Sequence, residues 1–103
     1  MKGLTPDQMD IRQVLLVDLH HIAEQDIELL SESNFIYNDL LAEGRLIVVP
    51  DKEQMRNPTH TLDEAGFSDG FILLINTCRD RRVKYILAID GGPVYGFFKH
   101  YHW

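Results

Sequence analysis

One cysteine, Cys78, is all the thiol chemistry in the 103-residue chain, so an internal disulfide is excluded and a reducing cytoplasm is the expected compartment. Long apolar runs are also missing. The longest, VLLVDL and FILLI, fall far short of the about 20 residues that cross a bilayer, so no membrane span is expected. MKGLTPDQMD has no apolar core behind its single lysine, which argues against a secretory signal. Catalytic signatures are equally scarce. There is no GxSxG; Asp90-Gly91-Gly92-Pro93 lacks the spacing, helix and lysine of a phosphate loop and reads as a turn; and His20-His21 with Glu24 leaves the acid outside the histidine pair, unlike HExxH. No cofactor is implied. Repeats and low-complexity segments are absent, and 45% apolar residues in this length support one core, not two.

Bases are outnumbered, ten to sixteen, and the imbalance is local. Residues 1–44 hold nine acids against Lys2 and Arg12, whereas residues 45–103 hold seven acids and eight bases. The acidic half repels a phosphate backbone, so direct nucleic-acid binding is not expected, but it suits a protein partner with a basic surface.

Thr5-Pro6-Asp7-Gln8 carries N-cap, N1 proline, first-turn acid and N3 glutamine, and so starts a helix at about residue 6. Steps of 100° gather Met9, Ile11, Leu15, Leu16, Leu19, Ile22 and Ile27 on one face, which extends that helix to about residue 32, with a break possible at AEQD, residues 23–26. A second helix follows from Ser31, Ser33 or Asn34 and ends at Gly44. Arg45–Pro50 reads as a strand, and Thr61–Glu64 as a capped turn stopped by Gly66. FILLINT, VKYILAID and PVYGFFKHYHW read as strands joined by the tips CRDRR and DGGP. The expected fold is α+β, a single domain over 1–103: two N-terminal helices packed on a roughly four-stranded antiparallel sheet, with an acidic helical half 1–44 and a strand-rich half 45–103. FILLI and YILAI are apolar on both faces, so a covering element or a second subunit is called for. NFIYNDLLAEGRLIV resembles the closing helix and strand of the minimal nucleotidyltransferases, but that family's Gly-Ser turn and metal-binding acid pair are missing here, so the likeness implies no activity.

On the long helix the acids Asp10, Asp18, Glu24 and Glu28 share a face with His21, and Val14 and Val17 lie among them, so that face is expected to meet a partner. In an extended tail Tyr101 and Trp103 share one face, which packs under the helices or anchors a partner, and His100 and His102 share the other. Two histidines are candidate metal ligands, but completing the set takes His20, His21 or Cys78, and without a third donor no metal site is expected. Cys78 beside Arg79, Arg81 and Arg82 has surroundings that lower a thiol pKa, and the three arginines form a candidate anion site at a hairpin tip.

These features point to a small acidic protein-binding module that inhibits or modulates a larger basic or nucleic-acid-binding protein, the physical type of inhibitors, immunity proteins and phage counter-defence proteins. One alternative is a small enzyme dependent on a metal at His100 and His102 or on the Cys78 thiol. Another is a homo-oligomeric assembly component, at its simplest a homodimer through the doubly apolar strands.

Overall fold

The computed structural model describes residues 3, 5–32 and 36–103. Thr5 and Gln8 do pair, with the Thr5 N–H donating to Gln8 Oε1 at 2.9 Å, but they open only a 3-10 turn, Pro6–Gln8. The expected helix over 6–32 is not formed. Its middle is strand β1, Val14–Asp18, followed by a 3-10 turn at Leu19–His21, and only Glu24–Glu32 is helix α1. The helical period had combined residues from separate elements, and a short apolar run such as VLLV fits a strand as well as a buried helix. The suspected break at AEQD is where α1 starts. There the buried Asp26 carboxylate accepts the Ala23 N–H at 2.9 Å.

The second expected helix is also replaced. β2, Asn38–Leu41, and β3, Gly44–Val48, form an antiparallel hairpin turned at Ala42 and Glu43. The proposed caps Ser33 and Asn34 lie outside the described residues. Gly44 is not a helix cap: it pairs with Leu41 and Ile89, and a Cβ there would strike the Ala88 carbonyl. The described part of the stretch likened to a nucleotidyltransferase helix and strand carries this hairpin.

Asn57 caps helix α2, Pro58–Ala65, three residues longer at its start than the capped turn expected, and Gly66 ends it in the left-handed region at φ 97°. FILLINT is not a strand. It lies in helix α3, Asp69–Asp80, where Phe71, Leu74, Ile75 and Cys78 recur at helical spacing and are all buried. Ser68 caps α3 by accepting the Phe71 N–H at 3.2 Å and donates its own hydroxyl to Asp26 at 2.6 Å, which joins the starts of α1 and α3 through one buried carboxylate. VKYILAID supplies β4, Tyr85–Ile89.

The strands form one sheet in the order β1-β4-β3-β2, with β1 and β4 parallel and the other pairs antiparallel. The sheet is therefore mixed, and the helices lie between strands in sequence instead of preceding them. One buried core joins α3 and α2 to the inward residues of the sheet, Val17, Ile86, Ala88 and Ile47. Residues 95–103 are not a strand. They wrap around the chain that leaves β1, with the Tyr101 N–H donating to the His20 carbonyl at 2.7 Å and the Tyr95 hydroxyl to the Leu16 carbonyl at 2.9 Å. The tail residues expected to pack inward as one strand face do not: Phe97, on the face of Tyr101 and Trp103, stands exposed, and Phe98 from the opposite face is buried. No helix among the described residues is long and apolar enough to cross a membrane.

Candidate functional site

Because β1 and β4 run parallel, their carboxyl ends lie together, and two kinds of chemistry converge there. Asp18 closes β1 and is almost fully buried. Its Oδ2 accepts the Gly91 N–H, from the turn after β4, at 3.1 Å. Its Oδ1 accepts the His20 N–H at 2.8 Å and lies 3.1 Å from both His20 Nδ1 and His100 Nε2. Burial by itself would push the Asp18 carboxyl up; the His20 N–H, the two imidazoles and the Gly91 N–H outweigh that and hold it below its ordinary value. The Trp103 ring sits 4.7 Å from that of His20, and the Trp103 carbonyl is 3.3 Å from His20 Nε2. An adjoining cleft of about 620 Å³ is lined by Trp103, Leu19, Arg45, Glu43 and Asp90.

His21, next to His20 in the same turn, serves a different purpose. It is buried, accepts the Tyr95 N–H at Nε2 (2.9 Å) and so donates from Nδ1 to the Lys99 carbonyl at 2.8 Å. Both ring nitrogens are satisfied by one neutral tautomer, and they bind the tail to the end of β1.

The second candidate is the outer face of the sheet. Side chains alternate along a strand, and the residues opposite the core set fall into cross-strand rows: Val14, Tyr85 and Val48, then Leu16, Leu87 and Leu46. None of these belongs to the core cluster or packs against it, and all are partly or largely exposed, Val14 at 53% and Leu16 at 37%. Asp39 extends the second row by pairing with Leu46, and the Arg12 guanidinium donates to the Tyr85 hydroxyl at 3.4 Å at the other end of the face.

The structure disperses the acidic face read from the helical period. Val17, Asp18 and His21 are buried. Asp10 lies before β1 in an ion pair with Arg12 at 3.0 Å, and Glu24 and Glu28 are exposed on α1. Val14 is on the outer sheet face. Tyr101 is half-buried with its hydroxyl against Gly70, and Trp103 is 44% exposed, its indole N–H donating to the Ile22 carbonyl at 2.9 Å. His100 meets His20 and Asp18, whereas His102 is exposed and meets only the edge of the His100 ring. Cys78 is buried and its thiol is pushed up to about 12 by that burial, the reverse of the activation its arginine neighbours implied. Those arginines belong to the end of α3, not to a hairpin tip, and the negative end of a helix dipole suits them. Arg79 donates to the Met55 carbonyl and shares a cleft of about 550 Å³ with Arg82, Lys52, Arg56 and Lys84, while Arg81 does not line it.

Sequence reasoning missed Asp26 and Arg45, whose buried side chains tie elements together. Arg45 donates to Asn38 Oδ1 at 2.5 Å and Ser31 Oγ at 3.1 Å. It also missed Asp18 as the hub of the histidines, although an acid two residues before His20 is the spacing of a side chain that caps its own turn. Comparison with known proteins finds no matching family model, curated protein or solved structure.

Proposed function

We propose that the chain is a protein-binding module that docks through the uncovered face of its sheet onto a larger partner, which it inhibits or modulates by occlusion. One observation carries this reading: two cross-strand rows of apolar side chains, Val14-Tyr85-Val48 and Leu16-Leu87-Leu46, lie outside the core cluster and all are partly or largely exposed. Contiguous exposed apolar surface with a polar border is the usual form of an interaction site. Asp39 borders this face beside Leu46 and Arg12 meets it at the Tyr85 hydroxyl, and with a net charge of −6 on the chain we take the partner to present apolar groups flanked by bases. A second copy of the chain would set like charges against one another. The compartment is a reducing one, where Cys78 stays a free thiol.

The test compares the wild-type chain with Leu87→Glu, which puts a charge at the centre of the face and leaves the core untouched. A stoichiometric partner is expected to bind the wild type, to leave as salt rises and to be lost on Leu87→Glu while the thermal transition is kept. Equal capture by both chains would reject the sheet face as the surface. A wild-type dimer in light scattering that Leu87→Glu dissociates would replace the basic partner with a second copy.

A further inference from the structure

We propose that Asp18, His20 and His100 bind a divalent first-row transition-metal ion, zinc or a close neighbour of it. Each residue offers one donor, Asp18 Oδ1, His20 Nδ1 and His100 Nε2, and the three atoms lie within 4.8 Å of one another. Both nitrogens stand 3.1 Å from the carboxylate oxygen. An ion at about 2.0–2.2 Å from its nitrogen and oxygen ligands holds adjacent donors roughly 3 Å apart, which is the separation of each nitrogen from the carboxylate oxygen; the two nitrogens, within 4.8 Å of each other, would close on the ion.

Proton bookkeeping points the same way. Both nitrogens of His20 face oxygens that only accept: Nδ1 faces Asp18 Oδ1, and Nε2 faces the Trp103 carbonyl. A neutral imidazole has one N–H, so it satisfies one of these and sets a lone pair against the other; either a second proton or a cation at Nδ1 meets both. Asp18 Oδ1 is crowded as well, with the His20 N–H and two imidazole nitrogens around it. A cation at the centre is the arrangement that serves His20, His100 and Asp18 together. It takes the Nδ1 lone pair, leaves Nε2–H to donate to the Trp103 carbonyl, and makes the carboxylate a ligand instead of an overloaded acceptor. A metal-bound histidine usually has such an outer partner, which fixes its tautomer. His21 beside it has no such conflict, which separates the binding histidine from the structural one.

Two imidazoles and one carboxylate suit zinc, iron, cobalt or manganese better than magnesium or calcium. The side chains of His20 and His100 are 25% and 36% exposed, so an ion can enter from solvent. Three protein donors are the number found where a metal keeps a position open for water or another ligand.

The chain carries its own reporter, because the ring of its single tryptophan, Trp103, lies 4.7 Å from that of His20. Untagged full-length protein in chelator-free buffer is titrated with Zn²⁺ by calorimetry and with Co²⁺ by tryptophan fluorescence and visible absorbance. The expected result is one ion per chain, quenching of Trp103 by Co²⁺, and a Co²⁺ spectrum that Zn²⁺ displaces. His100→Gln and Asp18→Asn should each weaken binding by more than about 100-fold, beyond the range usual for losing an outer partner alone. His102→Gln should leave it unchanged. His100 lies on the outer tail, so its variant keeps the test valid if Asp18→Asn fails to fold, and circular dichroism confirms the fold. Absence of stoichiometric binding, full affinity in His100→Gln, or loss of binding in His102→Gln would overturn the site.

Discussion

The two faces of β4 are equally apolar and differently placed. Ile86 and Ala88 are fully buried beneath α3, while Leu87 on the other face stays partly exposed between Leu16 and Leu46. Folding needs only the first face. A strand that faced water on its second side would be expected to carry polar residues there. The apolar residues on the outer side therefore add nothing to the core, and they are the part of the sequence that folding leaves unexplained.

Paired truncations break this comparison most directly. Ile86→Ala should cost about 3 kcal/mol by leaving a cavity in the core, whereas Leu87→Ala should cost well under about 1 kcal/mol, both read from urea denaturation. Similar losses at the two positions would mean that the outer face is packed in solution, and the docking reading would then fail. Asp26 probes the polar side of the covered layer. Its carboxylate accepts the Ala23 N–H, the Ser68 N–H and the Ser68 hydroxyl while fully buried, so Asp26→Ala strands all three donors and should lose about 3 kcal/mol.

Smaller effects sharpen the picture. The folded-state pKa of Cys78 is raised, to about 12, so the unfolded chain gives up its thiol proton first. The stability this contributes is present in full below the unfolded value of about 8.5 and falls as pH rises above it, approaching about 1.4 kcal/mol per unit. Wild type should therefore lose stability faster than Cys78→Ala between those values, and parallel curves would show that the thiol is not shielded. The last change belongs to neither face. Arg82 follows α3 at φ 59°, a conformation that suits glycine, so Arg82→Gly should raise stability by about 1 kcal/mol in thermal denaturation.

Much of the local detail was legible. The strand at Arg45–Pro50, the strand in VKYILAID, the stop at Gly66 and the turn after Asp90 all appear near where their residues placed them, because each rests on local chemistry: β-branched runs, left-handed glycine and tight turns. In α3 the signal was present and outweighed. Ser68, Asp69 and the 71, 74, 75, 78 spacing mark a helix, but the β-branched and aromatic composition of FILLI argued more strongly for a strand. His100 was singled out for its chemistry without any sign of what it would meet.

The sequence by itself determined the single core, the acidic balance and the doubly apolar strand, since composition and short-range pattern are enough for these. Only the tertiary structure decided that VLLV is a strand, that β1 lies parallel to β4, and that Asp18, His20 and His100 share one corner. The apolar run VLLV is compatible with more than one period, and its helical reading lost to pairing with a strand about 70 residues away. Residues 18 and 100 meet because the tail folds back over the end of that same strand, a contact that no local pattern encodes.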